Sequence, residues 1–207
     1  MLRTALLCTA LAIGGYASAA WLTHDFQAWT AEGARRLEVA LSPVATPPVL
    51  VEGPATPARS LAQVVGDGQS VTIVDFIYTR CETVCLSLGS TFQQMQAALQ
   101  ADPGANVRLL SVSFDPRDSS ADLQAYAGRM RADAKHWRFV RGVDERQTRA
   151  LLSAFQVVVV PDGRGDFEHN AALLVVDPRG RLVRVFDIAE QELALNYARH
   201  LAAQGSS

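Results

Sequence analysis

VTIVDFIYTRCETVC, Val71 to Cys85, decides how the rest of the chain is read. Residues 71 to 78 form an apolar run rich in β-branched side chains, which suits a central strand buried on both faces. Two thiols four residues apart follow at once, where the strand gives way to a helix. A helix N-terminus presents unpaired N–H groups and the positive end of the peptide dipole, and both lower a cysteine pKa toward the thiolate. With helix beginning at or just before Cys81, one-turn spacing sets the two Cα atoms roughly 6 Å apart on one face. Such a pair closes a disulfide or clasps one soft metal ion. A plainer reading stands beside this one. Cys81, Cys85, Leu88, Phe92, Met95 and Leu99 follow at steps of four and three, so the thiols also extend a core-facing stripe, and free cysteine is often a small buried hydrophobe.

Strand and helix signals alternate from this point. The cysteine helix runs to about Gln100 and stops at Asp102-Pro103-Gly104. NVRLLSVSF is a strand, followed by a helix from about Ser119 to Arg131 with Ser119 or Ser120 as N-cap. HWRFVRG is strand-like and DERQTRALLSAF helical. QVVVV and then AALLVVDPRGRLVRVFD give further strands, the last two joined as a hairpin across residues 177–180. A helix over about Glu190 to Ala203 closes the domain. A parallel β-α-β crossover leading to a hairpin and a closing helix is the order of an α/β thioredoxin-like fold, a central mixed sheet flanked by helices. The cysteines fall at the carboxyl end of its first core strand, where open α/β sheets place their chemistry.

The 207 residues accommodate one domain and an N-terminal appendage. With 19 basic against 21 acidic residues and no basic cluster, the chain carries no electrostatic footprint for nucleic acid. Ala5 to Leu22 is free of charge, with Arg3 on its N-terminal side, and in helix it spans about 27 Å. Residues 1–23 therefore read as a signal anchor, with the remainder outside the cytoplasm by the positive-inside rule. A cleaved signal peptide is the alternative, since Ala17-Ser18-Ala19 has the look of a cleavage site, but the apolar run continues through Ala20, Trp21 and Leu22. Cys8 lies within this segment or is removed with it. Residues 24–47 read as a membrane-proximal stalk and proline-rich linker, with a short amphipathic helix between about His24 and Leu41, Phe26, Trp29, Leu37 and Leu41 near one side, as the alternative; SPVATPPVLVEGPATPARS holds five prolines. The globular unit is then 48–204.

YTRCETVC, SFDPRD and HNAALLVVDPRG, in that order, resemble the Sco (SenC) copper proteins, thioredoxin-fold domains anchored to the inner membrane and concerned with assembly of cytochrome c oxidase. The resemblance covers about residues 70 to 188. It implies copper, as Cu(I) or Cu(II), held by Cys81, Cys85 and His169, with Asp115 and Pro116 near the metal site. It implies as partner cytochrome c oxidase subunit II, with other periplasmic copper chaperones or thiol reductases beside it, and a single-pass inner-membrane protein facing the periplasm. Glu82 and Leu86 stand where the family usually has proline, and DPRDSS is one residue shorter than the usual stretch.

The chemistry of these residue types agrees with that assignment. Two thiolates and an imidazole form a soft, low-coordinate set that suits Cu(I), and mixed sulfur and nitrogen also holds Cu(II). His169 opens the strand AALLVV, which in this topology runs beside the cysteine strand. Asp115 serves as an outer-shell hydrogen-bond acceptor or as an Asx-turn residue before Pro116. Tyr78, Thr79 and Arg80 frame the first thiol; Asp177 is a hairpin residue, and His24, His136 and His200 are surface residues. Three functions compete. The first is a copper metallochaperone passing metal by ligand exchange to the dinuclear copper site of subunit II. The second is a thiol-disulfide oxidoreductase in which Cys81 and Cys85 cycle between dithiol and disulfide to reduce that site's cysteines. The third is a thiol peroxidase on the same fold, which leaves His169 and the paired thiol unexplained. Structural zinc is a further possibility, but three ligands leave its coordination open.

Overall fold

The computed structural model describes residues 2–54, 56–80, 84–163 and 165–205, and of residues 84–87 and 205 the backbone alone. Its centre is β4 (Val71–Ile77), every residue of which is buried, as the unbroken apolar run requires. β4 lies parallel to β5 (Val107–Ser113), and β5 parallel to β6 (Trp137–Gly142). On the other side of β4, β9 (Leu173–Val176) runs antiparallel, pairing Leu174 with Val74, and continues through a hairpin into β10 (Arg181–Phe186). That hairpin turns at Asp177, whose carboxylate accepts the backbone N–H groups of Arg179 and Arg181, with Gly180 at φ +75°. Three short strands complete the eight-stranded sheet: β1 (Val44–Ala45) on β10, and β2 (Leu50–Gly53) with β3 (Thr56–Ser60) beyond β6, giving the order β1-β10-β9-β4-β5-β6-β2-β3. Gly53 is obligatory there, since a Cβ would stand 2.0 Å from the Phe139 carbonyl oxygen.

Register sorts the helices between the faces. Ile73, Asp75, Leu109, Ser111, Trp137 and Phe139 share one face. The cysteine helix α4 (Val84–Gln100) covers it, with Phe92 against Trp137 at 5.4 Å between ring centroids. α5 (Ser120–Arg129) covers it too through Tyr126 against Phe139. The closing helix α7 (Gln191–Gly205) stacks Tyr197 on Phe186 of β10 and is bound to α4 by Arg199, which donates to the Ala98 carbonyl. The opposite face carries Phe76, edge-on to Phe155 at the end of α6 (Glu145–Ala154). Local chemistry starts the helices where the sequence predicts. Ser119 caps α5 in a reciprocal box with Asp122, and Asp144 caps α6.

Three features differ from the sequence reading. The stretch expected to be a stalk holds α2 (Ala31–Leu41), which packs along β10, sends Val39 into the core and buries Arg35 to 4% exposure. The proline-rich stretch that follows forms β1, β2 and β3 and a one-turn helix α3 (Leu61–Val65). QVVVV does not enter the main sheet: β7 (Val159–Pro161) pairs only with β8 (Phe167–His169), as a separate two-stranded ribbon. Its valines alternate, with Val157 buried and Val158 and Val160 exposed, so β-branched content made a strand that the core did not need. At the N-terminus α1 (Leu2–Leu22) is long and apolar enough to cross a membrane, and none of its residues is buried.

Candidate metal centre

Cys81 lies outside the described residues, and of Cys85 the backbone places it in the first turn of α4. What the structure describes is the frame around them. β4 ends at Ile77, whose carbonyl accepts from the N–H of Phe114 at 3.0 Å, so β4 and β5 deliver Tyr78 and Phe114 together at one end of the sheet. The rings of Tyr78 and Phe114 lie 5.4 Å apart.

The next residue, Thr79, is pinned from below. Asp118, fully buried, accepts from the Thr79 N–H at 2.8 Å, the Thr79 hydroxyl at 2.6 Å and the Ser113 hydroxyl at 2.7 Å. Arg129 donates to the Thr79 carbonyl at 3.0 Å. The backbone two residues ahead of Cys81 is therefore held at its N–H, its hydroxyl and its carbonyl. Asp118 was not singled out from sequence. Its signal was weak, a second acid in DPRD directly ahead of a helix cap, which reads as turn polarity.

Asp115 takes the geometry of an Asx turn: its carboxylate accepts the Arg117 N–H at 2.9 Å across Pro116. It also receives the Arg117 guanidinium as a fork, from Nε at 2.9 Å and Nη2 at 2.8 Å, and Arg80 at 3.5 Å. No hydrogen bond joins it to His169. Arg117 reaches onward to the Gly165 carbonyl at 2.9 Å and lies over the Phe167 ring.

His169 ends β8, and the ribbon carries it to the same end of the sheet. Its ring packs against Phe114 at 5.1 Å. Both ring nitrogens are buried and neither has a hydrogen-bond partner among the described residues. Burial lowers its pKa below the ordinary histidine value, so the imidazole is neutral at physiological pH with a lone pair free to bind. An unpaired buried imidazole is costly unless something engages it. A soft cation would meet that requirement, and two cysteines, Cys81 and Cys85, follow the pinned Thr79 in sequence. The other histidines have local partners: His24 with Glu38, His136 with Asp133, His200 with Gln204.

One buried group on the cysteine-helix face has no evident partner. Asp75, in mid-β4, is 1% exposed, and neither carboxyl oxygen has a partner within hydrogen-bond geometry among the described residues. Burial pushes its pKa up to about 7, and the nearby Ser111 hydroxyl, which accepts from Trp137 Nε1, pulls the other way without offsetting it.

Comparison with known proteins agrees with this architecture. The family model described as SCO1/SenC matches residues 61–202. A SCO1 protein homolog of Bacillus subtilis (strain 168) is 28% identical over 123 residues, 58% of this chain and 63% of that protein, so the match spans less than two thirds of the relative's length. Among solved structures, BsSco, described as a member of the Sco family of cytochrome c oxidase assembly proteins with a disulfide switch, superposes with a TM-score of 0.66 at 22% identity, covering 78% of this chain and 95% of its own. ScoI of Bradyrhizobium japonicum, solved with copper bound, gives a TM-score of 0.63 at 22% identity, covering 76% and 99%. At these identities the structural likeness is one of fold.

Proposed function

The chain belongs to the SCO1/SenC family, and from that premise we propose that it is a membrane-tethered copper carrier for cytochrome c oxidase assembly, holding copper through Cys81, Cys85 and His169. The recipient is the dinuclear copper site of oxidase subunit II, and α1 anchors the chain in the inner membrane with the domain in the periplasm. One observation supports the reading: His169 is a buried, neutral imidazole whose two nitrogens have no hydrogen-bond partner among the described residues, at the end of the sheet from which the chain runs into the cysteine pair. Copper is cargo here. Two thiolates and one imidazole are soft enough to hold it and few enough to be displaced one at a time by the recipient's ligands. Asp118 sets the backbone that leads into Cys81. Asp115 acts from outside the ligand set, through Arg117, on the tip of the histidine ribbon.

A second reading rests on the disulfide switch described for BsSco. Here the thiolate of one cysteine attacks a disulfide of the recipient, and the second cysteine resolves the mixed disulfide. The recipient gains two thiols and this chain gains the Cys81–Cys85 disulfide, which a periplasmic thiol reductase resets. Copper carriage and thiol reduction need the same pair but not the same histidine.

His169→Ala separates them. The variant is expected to fold, to keep a reducible Cys81–Cys85 disulfide, and to lose at least the 10 to 100-fold in copper affinity that changes outside the ligand set already cost. Competition titration with Cu(I) under a chelator measures this. Parental affinity together with normal oxidase assembly at low copper would move thiol reduction into first place.

A further inference from the structure

α2 lies outside the span matched by the family model, yet it meets the base of the ribbon that carries His169. The contact is built on a buried cation. Arg35, 4% exposed, donates from Nη2 to the Phe155 carbonyl at 2.9 Å and from Nη1 to both oxygens of Glu32 at 3.0 and 3.1 Å. Phe155 stands where α6 gives way to the ribbon, and the next two residues are tied back to the helix, Gln156 N–H to the Ser153 carbonyl and Val157 N–H to the Leu152 carbonyl. Phe155 caps α6, its ring is packed on Phe76, and Gln156 turns the chain away at φ +52°.

On the other strand of the ribbon, the residue after His169 closes the base. Asn170 accepts from the Val158 N–H at 2.7 Å and donates to the Gln156 carbonyl at 3.1 Å; its amide also reaches Glu32 at 3.5 Å. The Arg35–Glu32 pair thus meets both sides of the ribbon at its root; β7–β8 has no ladder to the main sheet, and its far end is held by side chains, Tyr78 on Asp166 and Phe167, Phe114 on Phe167 and His169, and Arg117 on Gly165. A buried guanidinium is costly unless hydrogen-bonded, and here Nη1 and Nη2 find their partners at this base while Nε has none among the described residues.

We propose that Arg35 and Glu32 are positioning residues for His169: the juxtamembrane helix fixes the root of the histidine ribbon and so sets where the imidazole stands. The inference rests on the copper-binding reading of His169. Without this pair Asn170 still staples the ribbon to itself and Val157 still bonds to α6, but the root loses its tie to α2, and the imidazole samples a wider range of positions.

The test uses the full chain in detergent micelles, with Arg35→Met, Arg35→Lys and Glu32→Gln beside His169→Ala. Arg35→Met is expected to weaken copper binding at least 10-fold. It should also change the nitrogen signature in the spin-resonance spectrum of the Cu(II) form and speed amide exchange over residues 167–171 in the metal-free protein. The Cys81–Cys85 reduction potential should stay at the parental value. Arg35→Lys, which keeps one donor for the Phe155 carbonyl, should recover part of the affinity. If Arg35→Met does not fold, Glu32→Gln decides, since its side chain is a third exposed. Parental affinity and spectrum in the decisive variant overturn the positioning role while His169→Ala still loses copper. If His169→Ala binds copper like the parent, the copper reading itself falls and this inference falls with it.

Discussion

Asp75→Asn should make the protein more stable, and more so as pH rises. The folded chain raises this carboxyl from an ordinary 3.8 to about 7, because ionising it would strand a charge in the middle of β4. A carboxyl with a raised folded pKa binds its proton more tightly folded than unfolded. Below pH 4 both states are protonated and the group is silent. Between pH 4 and 7 the unfolded chain has released the proton and the folded chain keeps it, so stability falls with pH at up to about 1.4 kcal/mol per unit. Above pH 7 the full penalty is reached, about 4 kcal/mol from a shift of some three units. Asparagine has the same shape and no charge. The variant should therefore match the parent near pH 4 and exceed it by about 4 kcal/mol at pH 8. Urea unfolding of the reduced, metal-free chain at pH 4.5, 6 and 8, with the m-value confirmed unchanged, reads the difference directly. An increment that is flat with pH, or a variant less stable than the parent at pH 8, would mean that Asp75 ionises freely and that the burial argument is wrong.

Asp118→Ala should cost about 3 kcal/mol, since it strands buried donors on Thr79 and Ser113, and amide exchange should show the loosening first at the end of β4. Oxidising Cys81 and Cys85 to the disulfide should abolish copper uptake and reduction should restore it, because the thiolates are the ligands; equal uptake by both forms refutes a site on these sulfurs. The protein should partition with the inner-membrane fraction through α1, and recovery of soluble protein beginning at Ala20 would show the segment to be cleaved.

The part of this fold that could be read in advance is the part where one residue pattern had one physical solution. An apolar run such as Val71–Ile77 is stable only between two covered faces, and Ser119 or Asp144 ahead of a polar-apolar repeat starts a helix. Where tertiary partners decide, reading failed. Pro57 sits in β3 because that strand lies at the sheet edge, where a missing N–H costs nothing, so a linker-like composition folded as a hairpin. α2 is amphipathic but short, and it is tertiary partners, β10, the Phe155 carbonyl, Asp187 and Glu190, that make the helix the better of the two readings of this stretch. The same holds at the site. The two thiols stand out by type and spacing and His169 through the family resemblance, whereas Asp118 and Arg117 bond to residues far away in sequence. Asp75 carries no local sign of its isolation.

If α1 is the membrane anchor proposed above, the docking of α2 leaves only a short leash between membrane and domain. From the end of α1 at Leu22 to the start of α2 at Ala31 there are eight residues, Thr23 to Thr30. Their contour is about 28 Å at full stretch, against about 80 Å had all of residues 24–47 been free. Even that is curtailed, since the N–H of Ala28 folds back onto the Thr23 carbonyl. A domain on such a leash does not sweep the compartment. It skims the bilayer, and its search for a partner is a two-dimensional one, restricted to proteins that present their receiving site within a domain's height of the lipid surface.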